Sequence, residues 1–355
     1  MDSDIPLGHV LVTGGCGFLG HHIVNLLLER DPEVRISVLD LRTTHNRNLN
    51  SQVSYYDGDI TDYSKTKSLF ETLRPDVVIH TASPHFNLSP DILLKVNLDG
   101  TKVLLQGAQE TGVKAFVYTS SASIIHDGKN LINADERWPL AYAESAVLAA
   151  NRSDAYPNFL TCAIRPAGIF GEGDVQSVPK MITAYHKGQT KFQIGDNNNL
   201  FDFTYVGNVA HAHLLAASAL LVTAKMAPQR PLDHETVDGE PFLITNGQPV
   251  YFWDFARTIW REAGDKTLPN QVWVLSTDMM WAIGAVLEGI FWVMGKTPNL
   301  TRQQAKYSSI TRYYNIDKAK RRLGYKPIVD LQEGIRRAVQ YIIQEEKKQG
   351  EKKAQ

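Results

Sequence analysis

Gly14, Gly17 and Gly20 stand three residues apart in TGGCGFLG, and Asp40 follows twenty residues after the last of them. Glycines at that spacing let a chain turn tightly, bring its backbone up to a pyrophosphate, and pack the next helix close on the preceding strand. The helix start, with Phe18 and Leu19, then offers free N–H groups and the positive end of its dipole to the phosphates. A carboxylate twenty residues on is suited to accept hydrogen bonds from adenosine ribose hydroxyls. That acid repels a 2′-phosphate and favours NAD; Arg42, two residues further, keeps NADP open. Asp59 and Ile60, at the end of VSYYDGDITD, are candidates for the adenine edge. Thr81 and Ala82, in the small-residue loop after DVVIHTAS, can pass close to a cofactor. Asn97 falls within a helical run, where capping explains it poorly, and it reads as functional. His80 reads as a packed core histidine.

These residues need a scaffold that brings strand ends together. HVLVT, RISVLD, DVVIHTAS and AFVYTSSAS are short apolar runs, and helical patterns such as HHIVNLLLER and KVNLDGTKVLLQGAQETG lie between them. Strands alternating with helices, with ligand loops at the strand C-termini, define an α/β fold: a Rossmann-type, doubly wound parallel sheet. We place the NAD(P)-binding domain at 1–165 and a smaller C-terminal substrate lobe at 166–345, some of whose segments return to the sheet. A charged tail, 346–355, reads as a solvated, frayed end. In the lobe, SVPKMITAYHKGQ, VAHAHLLAASALLV and VYFWDFARTIWREAG read as helices and PFLITNG as a strand; Asn197 to Asn199 read as a turn. His211 and His213, two apart, fall on different helix faces and make a poor metal site, so no metal is expected.

Composition narrows the class further. A net charge of −1 and a pI near 6.8 leave no electrostatic footprint for nucleic acid. Two cysteines, Cys16 and Cys162, form no disulfide framework, which suits a reducing compartment. The acidic start MDSDIPLGHV does not read as a secretory signal, so the sequons at Asn87, Asn151 and Asn299 read as chance matches. MMWAIGAVLEGIFWVM, 279–294, would rise about 24 Å as a helix, short of a bilayer's roughly 30 Å core. It reads as a buried helix or an interfacial patch.

TGGCGFLG, DGDITD, VVIHTAS, VNLDGT, YTSSAS, IRPAGIFGEGD and DFTYVGNVAHAHLLA together resemble the extended short-chain dehydrogenases, in their 3β-hydroxysteroid dehydrogenase branch. INADERWP, GDNNNLFDFTYV, ITNGQPVYFWDFAR and TRYYNIDKAKRRLGY are similar to the branch's fungal group that oxidises and decarboxylates 4α-carboxysterols. The resemblance implies NAD(P)-dependent oxidation of the C3 hydroxyl, with loss of the C4 carboxylate, in sterol biosynthesis or a specialised, fusidane-like triterpenoid pathway. It assigns Ser121 to orienting the substrate hydroxyl, with Ser123 as a second candidate, and Pro166 with Ala167 to the turn that holds the nicotinamide amide. Arg165 fits that motif or a structural tie to the second lobe. A sterol or triterpenoid substrate implies an apolar cleft and a peripheral place on the cytoplasmic face of the endoplasmic reticulum. A homodimer and contact with other C4-demethylation enzymes are compatible with it.

The helix beginning near WPLAYAESAVLAANR departs from the family pattern Y-x-x-x-K. If Tyr142 is the family tyrosine and so the catalytic acid/base, Ala146 stands at the lysine. If Ala143-Glu144 is the family's A-E, the helix runs unbroken to Asn151, Leu140 stands at the lysine and Glu136 at the tyrosine. The second register needs no break inside a helix and is favoured. A tyrosine without its lysine, at a pKa of about 10, is roughly one part in a thousand phenolate at neutral pH. Lys129, Arg137 and His126 are nearby groups able to stand in. A protein that binds cofactor and sterol without turnover is the alternative reading.

Overall fold

The computed structural model describes residues 6–85, 88–125, 129–137, 141–295 and 301–354. Asn87, His126, Leu140 and Asn299 lie outside them. Seven parallel strands build the main sheet: β1 (His9–Thr13), β2 (Arg35–Asp40), β3 (Val53–Asp57), β4 (Val77–His80), β5 (Ala115–Thr119), β6 (Leu160–Pro166) and β7 (Pro241–Ile244). Their order is β7-β6-β5-β4-β1-β2-β3. Successive strands run outward from β1 in one direction, then from β4 in the other, so a crevice opens at the strand C-termini between β1 and β4. β7, drawn from the second half of the sequence, pairs with β6 in register from Pro241 opposite Ala163 to Ile244 opposite Pro166.

Period-two alternation in the strands feeds two separate cores. Val10 and Val12 point to one face, which is covered by α1 (Phe18–Arg30) and, packed on it, a long helix at Val206–Lys225. Leu11 points to the other, covered by α2 (Tyr63–Leu73), α3 (Thr101–Thr111) and α4 (Tyr142–Ala149). The Val206–Lys225 helix, α5, is long and apolar enough to cross a membrane, but it is largely buried in the first core. His80 lies in the core as expected, its Nδ1 bonded to Thr13 Oγ1 and its Nε2 to Thr101 Oγ1. Burial pushes that imidazole down to about 3, so it is neutral.

Three elements differ from the sequence reading. The run through Asn97 is broken by a π-helical turn at Lys95–Gly100, where Thr101 Oγ1 donates to the Asn97 carbonyl at 2.6 Å. Gly100 permits this, since a Cβ there would lie 2.8 Å from Ile60. α4 stops at Ala149, before Arg152. Asn151 instead accepts a hydrogen bond from Thr161 N in β6, and Arg152 takes φ 49° with its Nε 2.6 Å from Asp238. The charged tail continues as helix to Ala354, within α8 (Leu331–Ala354) as numbered after α6 (Phe252–Glu262) and α7 (Thr277–Val293).

The smaller lobe is held by short strands. Residues 250–251, 200–201, 312–314 and 131–134 form a four-stranded sheet, and Phe203–Tyr205 pairs with Gly168–Phe170 just beyond β6. α7 is not the buried helix that was one of the two readings: Trp281, Val286, Ile290 and Trp292 all stand on its exposed surface. Its close neighbour is the short helix Arg302–Tyr307, which crosses Gly284 so tightly that a Cβ would lie 2.9 Å from Arg302 N. Arg302 also pairs with Glu288 at 2.7 Å.

Candidate active site

The glycine loop is shaped by contacts that leave no room for side chains. Gly14 has φ +72°, and a Cβ there would lie 2.7 Å from the Ala82 backbone. Thr81 fixes that second loop by donating its N–H and Oγ1 to the Thr13 carbonyl, at 3.0 and 2.9 Å. A Cβ on Gly20 would collide with the Gly14 carbonyl, so only glycine lets α1 sit this close to β1. Gly17 caps α1 from an extended conformation, and Phe18, Leu19 and Gly20 supply its first N–H groups. This backbone cradle fits a pyrophosphate.

Asp40 ends β2 beside the cradle, its Oδ2 accepting from Cys16 N at 3.1 Å. Its carboxylate is partly exposed, with lone pairs left for ribose hydroxyls. Asp57 accepts from Thr43 N, and Asp59 accepts from Thr61 N and Oγ1 at 2.9 and 2.8 Å, so the rim near the ribose is acidic. Arg42 is exposed, while Arg47 lies over the Tyr55 ring, 4.5 Å from its centroid. Ile60 is buried against Gly100, so Asp59 presents the polar group there. Asn97, on the π-helical turn, accepts from Ser83 Oγ at 3.0 Å, which joins it to the Thr81–Ala82 loop.

The structure therefore brings Gly14, Gly17, Phe18, Leu19, Gly20, Asp40, Thr81, Ala82 and Asn97 into one crevice at the ends of β1, β2 and β4. Asp59 and Ile60 follow at the end of β3. Ser121 and Pro166 stand on the same edge of the sheet, beyond β5 and β6. Ser121 Oγ accepts from Ser123 N at 3.1 Å, a local cap of the turn Ala122–Ile125, and its hydroxyl proton stays available to a ligand. Pro166 is buried at the end of β6, and Ala167 N donates to the Ile244 carbonyl at 3.0 Å.

Tyr142 is placed differently. It opens α4 with 80 % of its surface exposed and, among the described residues, has no hydrogen-bond partner. Ala143 and Glu144 face inward, and Glu144 forms a fully buried ion pair with Arg165 of β6. Arg165 Nε lies 3.0 Å from both carboxylate oxygens. Arg165 thus ties α4 to the sheet beside the Pro166 turn. Ala146 is half-buried against the second core. Glu136 accepts from Leu243 N at 2.9 Å on the open edge of β7, and burial pushes its carboxyl up. Arg137 is exposed and paired with Asp135, and Lys129 is exposed.

Arg312 is a site residue that the sequence reading missed. It is buried, and among the described residues no carboxylate pairs with it. Its Nε donates to Tyr314 Oη at 2.6 Å, its Nη2 donates to Ser123 Oγ at 2.8 Å, and the Phe201, Tyr307 and Tyr314 rings surround it. A buried guanidinium without an acid is a costly arrangement that an anionic ligand would relieve. The nearby tyrosines at 307 and 314 do not mark it by themselves, because its other partners, Ser123 and Phe201, come from distant parts of the sequence.

Among the described residues no group of three or more His, Cys, Asp or Glu side chains could hold a metal ion. A nucleotide crevice, a serine at the adjacent strand end and a separate aromatic lobe define a dinucleotide-binding protein of the Rossmann class. Residues 11–276 match the 3-beta hydroxysteroid dehydrogenase/isomerase family, and the chain belongs to it. It is similar to the sterol-4-alpha-carboxylate 3-dehydrogenase, decarboxylating, of Schizosaccharomyces pombe, 42 % identical across 97 % of this chain and 100 % of that protein. The Saccharomyces cerevisiae protein of the same description is 40 % identical across 94 % and 97 %. Among solved structures, an epimerase from Methanothermobacter thermautotrophicus shares the fold at a TM-score of 0.71 and 21 % identity, covering 97 % of this chain and 95 % of its own. The Bordetella bronchiseptica enzyme WbmH, solved with NAD+, does so at 0.65 and 20 %, covering 95 % and 98 %.

Proposed function

We propose that this protein is a nicotinamide-dependent 3β-hydroxysteroid dehydrogenase that oxidises and decarboxylates a 4α-carboxysterol or a related triterpenoid acid. The observation that carries the substrate class is Arg312, a buried cation bonded to the serine loop and, among the described residues, paired with no carboxylate. The glycine cradle would hold the cofactor's pyrophosphate, Asp40 its adenosine ribose, and the Pro166–Ala167 turn its nicotinamide amide. Held there, the nicotinamide would supply a hydride acceptor for C3. Ser121 Oγ orients the 3β-hydroxyl, and Arg312 fixes the C4 carboxylate against the aromatic wall. Oxidation leaves a ketone β to that carboxylate; carbon dioxide then departs, its bonding electrons pass into the enolate, and C4 takes up a proton. Without a Y-x-x-x-K pair on α4, proton removal from the hydroxyl lacks an assistance typically worth 10²–10⁴-fold. Turnover is accordingly slow.

NAD is the preferred cofactor, because Asp40, Asp57 and Asp59 make the ribose rim acidic and Arg47 is engaged on Tyr55. Titrating NAD+ and NADP+ against the protein while following NADH or NADPH formation tests both points. Tighter NADP+ would overturn the preference, and no turnover of a 4α-carboxysterol would overturn the activity. The exposed apolar face of α7 supports peripheral attachment to the cytoplasmic face of the endoplasmic reticulum, where such substrates partition. Liposome flotation of wild type against Trp281→Glu with Ile290→Glu reads this directly; equal flotation would count against it. Homodimer formation and contact with other C4-demethylation enzymes belong to the same reading, and light scattering and co-purification test them.

A further inference from the structure

Asp202 lies where one strand of the smaller lobe changes sheets. Up to Phe201 the chain pairs with Arg312 in the four-stranded sheet; from Phe203 it pairs with Gly168, two residues beyond Pro166. Asp202 N donates to the Arg312 carbonyl at 2.9 Å. Past that point Tyr314 N donates to the Asp202 side chain, reaching Oδ2 at 2.8 Å. The carboxyl is almost wholly buried beside the Thr245 hydroxyl, and among the described residues its Oδ1 has no partner in good hydrogen-bond geometry. Burial also pushes its pKa up to about 7. An unsatisfied buried carboxyl costs stability, so a plain ladder position would be better filled by an apolar residue.

We infer that Asp202 is a positioning residue: it splices the strand carrying Arg312 to the strand seated beside the nicotinamide turn, and so fixes the distance between the carboxylate anchor and the hydride-accepting position. The inference rests on the proposed function and adds to it a geometric requirement. The reacting C3 and the anchored carboxylate sit on adjacent carbons, so the two ends of the site must hold their spacing closely. A displacement of about 1 Å at such a site can cost about 10²-fold in rate. Arg312 cannot hold this spacing alone, because its own strand carries only residues 312–314.

The test compares Asp202→Ala and Asp202→Asn on two substrates: the 4α-carboxy-3β-hydroxysterol, and the same 3β-hydroxysterol lacking the carboxylate. Asp202→Ala is expected to lower kcat on the acid by about 10²-fold, with NAD+ affinity held. Turnover of the uncarboxylated sterol, which does not engage Arg312, should fall far less. Asp202→Asn keeps an acceptor for Tyr314 N and should recover most of the loss. Equal losses on both substrates, or no loss on either, would overturn the inference. If the alanine protein does not fold, Asp202→Ser, whose oxygen is too short to reach Tyr314 N, serves the same comparison. If the wild type forms no NADH from the acid, the proposed function fails. The inference is then judged by equilibrium binding to the NAD+-loaded protein, where Asp202→Ala must narrow the preference for the acid over the uncarboxylated sterol. An unchanged preference would sink it.

Discussion

Replacing Glu144 with alanine should destabilise the protein far more than removing any surface ion pair. Both Glu144 and Arg165 have fully buried side chains, and the guanidinium forks onto the carboxylate through Nε at 3.0 Å and Nη2 at 2.5 Å. Arg165 also reaches the Glu136 carbonyl at 3.4 Å, a contact too long to replace the lost pair. Removing one partner of a buried pair strands the other charge without water, at about 3–5 kcal/mol. Exposed ion pairs in general contribute only about 0–1 kcal/mol. The difference is large against a total stability of about 5–15 kcal/mol. Urea unfolding of wild type, Glu144→Ala and Glu144→Leu with Arg165→Met measures it. The single variant should lose several kcal/mol, and the double variant should recover most of that by removing both charges. A loss under about 1 kcal/mol for Glu144→Ala would refute the reasoning, because it would mean that water or another acid reaches Arg165.

Other outcomes follow from single contacts. Gly14→Ala, which must hold φ +72° with a Cβ 2.7 Å from the Ala82 backbone, should weaken NAD+ binding by about tenfold or more in a calorimetric titration; unchanged affinity would contradict the cradle. Because Asp202 keeps its proton up to about pH 7 when folded, whereas the unfolded chain releases it near the ordinary 3.8, the folded state binds the extra proton between those values. This contribution to stability is full below about pH 4 and declines as pH rises to about 7, by on the order of 4 kcal/mol. Asp202→Asn should abolish that slope in urea midpoints taken at pH 5 and pH 8, and parallel pH curves would contradict it. Tyr142→Phe should change neither turnover nor cofactor affinity, since the side chain is 80 % exposed, and Ala146→Lys should bring no gain. A rate gain from the lysine would show that Tyr142 occupies the family position.

The nucleotide half was legible because its signals are local. Three glycines, an acid twenty residues on and period-two apolar runs each report the conformation of their own segment, and together they imply a doubly wound parallel sheet. The π-helical turn at Lys95–Gly100 was not legible, since it depends on Ile60 lying against Gly100 across two elements. Arg312 and Asp202 escaped for the same reason: each has partners more than a hundred residues away, Ser123 and Phe201 for Arg312 and Tyr314 for Asp202. For α7 the sequence left a buried helix and an interfacial patch both open, because its apolar composition suits either; the tertiary arrangement leaves Trp281 and Trp292 on the surface. At α4 the sequence offered two registers; the structure turns Ala143 and Glu144 inward onto Arg165 and ends the helix at Ala149, short of the Asn151 that the unbroken register called for.

The central claim is that oxidation at C3 releases the C4 carboxylate, and the most direct measurement is the ratio of carbon dioxide to NADH. Purified protein would be given NAD+ and a 4α-carboxy-3β-hydroxysterol labelled at the carboxyl carbon, with long incubation to allow for slow turnover. One carbon dioxide per NADH is predicted, with no release when NAD+ is omitted. Release of carbon dioxide without NADH, or neither product after long incubation, would contradict the account.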